Sequence, residues 1–284
     1  MTRAMPANRP PLPVVSTATV ITFLSPRLPQ PRSSRAQRLL PALTLLAALF
    51  FSTFARGADC NALVLAQVQA MPRGGIYAAN SQALSRLTSA VAVKNGALSV
   101  QAAGAAPNFC SEATYLIFLK TVAALGAQTK MNEGTLNALL VRAQPDGQGV
   151  WGRWNANGPG TARLFRELGL GQNFDDFTQA RPGDFMKIFW STEVGRRERG
   201  HSVIFLGLEQ RDGVATVRFW SSNQPGGYGE KTVPRSKIAY AIFSRLQHPE
   251  ALERLPALPP CDPYLARLNV RLSSISEART LSGI

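Results

Sequence analysis

Apolar residues recur at spacings of three and four from Asn61 to Met71, Ser81 to Val93 and Glu133 to Ala143, which predicts three amphipathic helices. Gly74-Gly75 and Asn95-Gly96 punctuate them as turns. The stretch Ser111 to Leu125 differs: Tyr115, Leu116, Ile117, Phe118, Leu119, Val122 and Leu125 make it apolar almost all round, and it stops at Gly126. Such a helix is buried in a core. Asn108 is placed to cap it, which sets Cys110 in its first turn. Trp151 to Gly160 is rich in glycine and asparagine and reads as a loop, followed by a short helix from Thr161 to Leu168.

From Asp184 onward the texture is β. Phe185 to Trp190, Ser202 to Leu208 and Val214 to Ser221 are strand-like, and Arg211-Asp212-Gly213 marks a hairpin turn. Lys237 to Leu246 fits a further strand better than a helix. Helices first and an antiparallel sheet after them predict an α+β domain, spanning 58–284. Residues 1–57 read as a targeting leader: Arg32, Arg35 and Arg38 precede the apolar run Leu39 to Phe51, with a cleavage site expected after Ala55. The run is short for a transmembrane helix. Export to the periplasm or the extracellular space is the expectation, with membrane contact only through the leader.

The composition, 45% hydrophobic and 17% charged, suits a globular fold. The formal charge of +14 is inflated by seven arginines in the leader, which has no acid; the rest has 24 basic against 17 acidic residues. That surplus favours an anionic partner such as cell-wall polymer. No basic stripe interleaved with aromatics argues for nucleic acid. Export makes an even cysteine count comfortable, and three is odd. Cys60 and Cys261, in loops at either end of the domain, are expected to pair, leaving Cys110 over.

A cysteine in the first turn of a buried helix meets unpaired N–H groups and the helix dipole, which stabilise a thiolate, the nucleophilic form. A base is needed beside it. Of the two histidines, His201 sits where a loop feeds an apolar strand, whereas His248 lies in a polar stretch before a proline. The hairpin then brings a polar residue opposite His201: Asn223 for a three-residue loop, Gln224 for a two-residue turn, Ser222 for a four-residue loop. A side-chain amide there would orient the imidazole and complete a Cys–His–Asn arrangement. Asn108, Trp151, Trp154 and Asn155 are candidates to line a substrate cleft, with Asn108 beside the Cys110 N–H as an oxyanion donor; Asp184 is expected to brace a loop. Two distant histidines and scattered cysteines lack metal-ligand spacing, and no cofactor is called for.

Phe109-Cys110-Ser111 at the head of a helix, Arg181-Pro182-Gly183-Asp184-Phe185 before a strand and Gly200-His201-Ser202-Val203 on the next resemble, in that order, the NlpC-type cell-wall peptidases and related CHAP amidases. Phe109 stands where these families often have aspartate. The resemblance implies a papain-like fold and hydrolysis of amide bonds in peptidoglycan stem peptides, for wall remodelling or as an antibacterial toxin with an immunity or inhibitor protein as partner. Two rival readings remain: a non-catalytic wall- or protein-binding domain on the same fold, and a papain-like acyltransferase.

Overall fold

The computed structural model describes residues 60–126 and 131–284, so the expected leader and its apolar run lie outside the described residues. Among those described, no helix is long and apolar enough to cross a membrane. Helix α1 (Cys60–Gln69) is followed by α2 (Ser81–Ala90), whose first turn is capped by the Asn80 side chain accepting from the Ala83 N–H. The expected helix to Val93 ends early. Val91–Lys94 (β1) and Ala97–Val100 (β2) pair instead as a hairpin across Asn95-Gly96, both at positive φ. A two-residue turn with Asn-Gly is a strong hairpin signal, and it prevails over the helical spacing before it.

Helix α3 (Cys110–Leu125) is buried on nearly every side, touching α1, β2 and the main sheet. Helices α4 (Glu133–Ala138), α5 (Gly149–Asn155) and α6 (Gly160–Leu168) follow. The expected loop from Trp151 to Gly160 is thus half helix. Gly152 is there for packing, since a Cβ on it would lie 2.1 Å from the Pro145 carbonyl oxygen.

The β half holds β3 (Gly171–Phe174), β4 (Phe185–Phe189), β5 (Glu193–Gly195), β6 (His201–Arg211), β7 (Val214–Asn223), β8 (Gly227–Pro234) and β9 (Tyr240–Leu246). Short α7 (Pro263–Arg267), β10 (Leu272–Ser274) and α8 (Ile275–Ser282) close the chain. Six strands form one antiparallel sheet in the order β3-β9-β4-β6-β7-β8, while β5 pairs with β10. Helices packed on an antiparallel sheet make an α+β fold, and Lys237 to Leu246 is a strand from Tyr240 on.

Period-two alternation divides the sheet's faces. Phe185, Ile204 and Trp220 join the α3 core, whereas Met186, Val203, Phe205 and Phe219 pack in a second cluster behind the sheet. Trp154 lies within the first core, stacked on Phe118 at 4.9 Å and edge-on to Phe185 at 5.3 Å, with Nε1 donating to Thr114 Oγ1. It is therefore a core side chain and not part of a substrate surface.

Asp184 braces the turn into β4. Its carboxylate accepts from Arg245 Nε and Nη2 at 2.8 and 2.7 Å, Asn61 Nδ2 at 2.8 Å and the Arg181 N–H at 2.7 Å, and it is fully buried. Cys60 heads α1 next to this brace, while Cys261 is bridged to Gln148. Among the described residues no bond joins Cys60 to Cys261, the pairing expected from the sequence. Because removing one side of a buried charge pair strands the other, Asp184→Ala should cost about 3 kcal/mol in urea unfolding. A loss below about 1 kcal/mol would show that the brace contributes little.

Candidate functional site

Cys110 is the first residue of α3, so the helix's unpaired N–H groups surround it. The cap is Phe109, not Asn108: the Phe109 N–H donates to the Glu112 carboxylate at 3.2 Å, and Phe109 itself has extended φ and ψ. Asn108 is wholly buried, its carbonyl accepting from Ser222 Oγ at 3.1 Å, and its side chain is not among the cleft walls. The peptide on either side ties Asn108 into a bridge with Tyr77, and its side-chain amide is buried with no hydrogen-bond partner among the described residues.

His201 opens β6, and the loop before it is held by Glu198, which accepts from the Trp190, Ser191 and Gly200 N–H groups at 2.9, 3.1 and 3.0 Å. The residue that reaches the imidazole is Asn223, with Oδ1 3.3 Å from His201 Nε2. The hairpin has the tight two-residue turn, Arg211 opposite Val214, which alone would have aligned Gln224 with His201. A β-bulge intervenes: Phe205 faces Phe219 but Gly207 faces Arg218, leaving Leu206 as the extra residue. Gly207 at φ +147° accommodates it. The bulge shifts the register by one and brings Asn223 to the ring, while Gln224 is exposed at the rim. Ser222 turns the other way, to Asn108.

The amide's orientation is fixed by its own donors. Asn223 Nδ2 donates to the carbonyls of Ser221 and Gly229 at 3.2 and 2.8 Å, so Oδ1 must face His201 and accept from Nε2–H. This network puts a proton on Nε2 and leaves Nδ1 for the sulfur. Trp190 lies over the imidazole at 6.3 Å and Phe219 meets its edge-on face at 5.7 Å.

Burial alone would push the Cys110 thiol up. The charge of His201 and its hydrogen bond, then the Lys187 ammonium and the Ser202 backbone N–H, more than offset it and bring the thiol from 9.0 down to about 6. Tyr77 hydrogen-bonds the sulfur, and its phenol is pushed up to about 12 by burial, then by the negative charge at Cys110. Glu112 is pushed up to about 9 by burial, against the pull of the Phe109 N–H, so the acid of α3 next to Cys110 is protonated at neutral pH.

Two openings of about 450 and 510 Å³ meet at Cys110, Tyr77, Arg199 and Gly200. Trp151 and Asn155 line the first, together with Asp146 and Lys187. Asn155 accepts from Ser111 Oγ at 2.8 Å and donates to Asp146 at 3.3 Å, so it joins α3 to the cleft wall. His248 is exposed and bonded to Glu250. Lys187, Tyr77, Glu112 and Glu198 were not singled out from sequence; the alternation in Phe185 to Phe189 could have flagged Lys187 as a charge on an otherwise apolar strand. Among the described residues, no group of three His, Cys, Asp or Glu side chains is placed to hold a metal.

Comparisons with family models, with curated proteins and with solved structures give no match for this chain. The site therefore stands on its own chemistry: a depressed thiol, an oriented imidazole and an amide, at the junction of two clefts.

Two measurements follow from these charges. Iodoacetamide should modify Cys110 at a rate that rises through a midpoint near pH 6, and a midpoint at or above 8 would contradict the assigned environment. For Glu112, the folded-state value lies above the ordinary 4.5, so its contribution to stability is whole below pH 4.5 and is lost as pH rises towards about 9. Glu112→Gln should flatten that decline and exceed the wild type in stability at pH 8 by about 2–4 kcal/mol. A variant keeping the wild-type slope in urea titrations across pH 5–9 would show that Glu112 ionises normally.

Proposed function

We propose that this chain is a papain-like cysteine hydrolase, exported, that cleaves amide bonds in peptidoglycan stem peptides. The observation that carries the reading is the chain Cys110–His201–Asn223, in which a thiol brought down to about 6 hydrogen-bonds an imidazole whose far nitrogen is held by an amide 3.3 Å away. A binding domain has no need of a depressed thiol beside an oriented base, and perturbed groups gather where chemistry is done.

In the reaction, the Cys110 thiolate attacks the amide carbonyl carbon while His201 is protonated at Nδ1. The tetrahedral intermediate collapses as Nδ1–H passes its proton to the amine, which departs and leaves a thioester on Sγ. Water then enters; Nδ1 takes its proton, the hydroxide attacks the thioester, and the carboxylic product leaves with the thiolate restored. Throughout, Nε2–H stays on Asn223 Oδ1, so the ring does not rotate out of line. The Cys110 backbone N–H, at the head of α3, is the donor suited to the developing oxyanion. An acyltransferase would share every step up to the thioester and differ in the acceptor.

Basic side chains at the cleft, among them Arg197, Arg199 and Lys231, suit an anionic wall polymer. Digestion of purified sacculi by residues 58–284, with products read by mass spectrometry, is expected to release peptides bearing new amino and carboxyl ends. Cys110→Ala should lower that rate at least about a thousandfold without unfolding the protein. Asn223→Ala should lower it by roughly 10- to 100-fold, less than the full general acid–base contribution of about 10²–10⁴. Sacculi left intact by wild type, or wild-type rates from Cys110→Ala, would overturn the proposal.

A further inference from the structure

The reaction as written makes no use of Lys187, yet the fold is built to keep it. It is the third residue of β4, a strand whose five residues are all buried and otherwise apolar. At 6% exposure it projects on the α3 side of the sheet, opposite Ser202 in the β4–β6 register, and lines the cleft with Cys110. Among the described residues Nζ donates to a neutral partner, Ser202 Oγ, at 3.2 Å. Room for its stem is made by Gly200, at φ +78°, where a Cβ would lie 2.6 Å from Lys187 Cε.

Burying an ammonium costs several kcal/mol unless nearby charge compensates it, and a methionine or leucine would fill the same space without that cost. Burial holds the Lys187 ammonium below its ordinary range, and the negative charges that pull it back are Cys110 on α3, then Asp146 in the turn before α5 and Glu198 in the loop before β6. The two carboxylates already have other work: Asp146 accepts from Asn155 and the Asn157 N–H, and Glu198 accepts from three backbone N–H groups. The sulfur is the one of the three that must change its charge during a reaction.

We propose that Lys187 is a positioning residue for the nucleophile: its ammonium, fixed on Ser202 whose backbone N–H reaches the Cys110 sulfur, holds negative charge there even while His201 is neutral. In a two-residue thiolate–imidazolium pair the sulfur loses its counter-charge whenever the imidazole gives up its proton. With Lys187 in place the thiolate remains the better leaving group when water attacks the thioester, the stage at which His201 begins neutral. The inference rests on Cys110 being the reacting thiol, but its tests need no wall substrate, so failure of sacculus digestion and failure of this role are separate results.

The first test is the pH profile of Cys110 alkylation by iodoacetamide. Lys187→Met should move the midpoint up by about one pH unit, a roughly tenfold loss of rate at pH 5, and Lys187→Arg should restore most of it. A structural role alone would lower the melting temperature without moving that midpoint. The second test uses the unsubstituted protein, in case Lys187→Met does not fold. Because coupling between two sites is reciprocal, capping Cys110 with iodoacetamide should lower the Lys187 titration midpoint followed by lysine side-chain NMR. A Lys187 midpoint unchanged by capping, or a Lys187→Met alkylation midpoint equal to wild type, would overturn the proposal.

Discussion

A sulfur buried at the head of a helix carries negative charge only if positive charge and hydrogen-bond donors are brought to it, and the rest of this structure depends on that match. Helix α3 supplies the N–H groups, but Cys110 at its head is 9% exposed, so solvent supplies little of the remainder. The balance is made by His201, Lys187, the Ser202 N–H and the Tyr77 hydroxyl, drawn from β6, β4 and the turn before α2. Glu112, which as a carboxylate would oppose the thiolate, is kept protonated by burial. The same low polarity that penalises the charge makes each of these partners count for more than it would at the surface.

Holding partners from separate elements on one atom requires rigid supports. Glu198 fastens the loop that delivers His201, and Asp184 fastens the turn that delivers Lys187, each a buried carboxylate that accepts three or more hydrogen bonds. The bulge at Leu206 aligns Asn223 with the imidazole, and the two Asn223 Nδ2 bonds leave only an acceptor to offer it. The aromatic packing of Trp154 on Phe118 and Phe185 ties α5 and α3 to the sheet, so the cleft wall and the helix that carries Cys110 share one core.

Much of this was legible in the residues. The all-round apolar stretch to Leu125 announces a buried helix, its head announces a reactive place for Cys110, and His201 at a strand start follows from texture alone. Asn223 was legible only as one of three, because the turn length sets the register in sequence while a bulge leaves no clear mark there. With the tight turn that formed, the counting favoured Gln224, and only the extra Leu206 reverses it. Cysteine parity carries no information on burial, and Cys60 packs in the apolar core as a small side chain can. Trp154 and the glycines near it looked like a loop because small residues that permit close backbone packing look the same in sequence as residues that permit turns. Lys187 and Glu112 could not be placed, since their charge states come from neighbours distant along the chain.

The central claim is that Cys110 forms a covalent acyl intermediate that His201 helps to make and break. Intact-protein mass spectrometry of the wild type, mixed with soluble stem-peptide fragments and quenched in acid within the turnover, tests it directly. The account predicts an added mass equal to the acyl half of a cleaved fragment, located on the peptide that contains Cys110 and removed by hydroxylamine. Fragments cleaved with no such adduct under any quench time, or an adduct found on another residue, would contradict it.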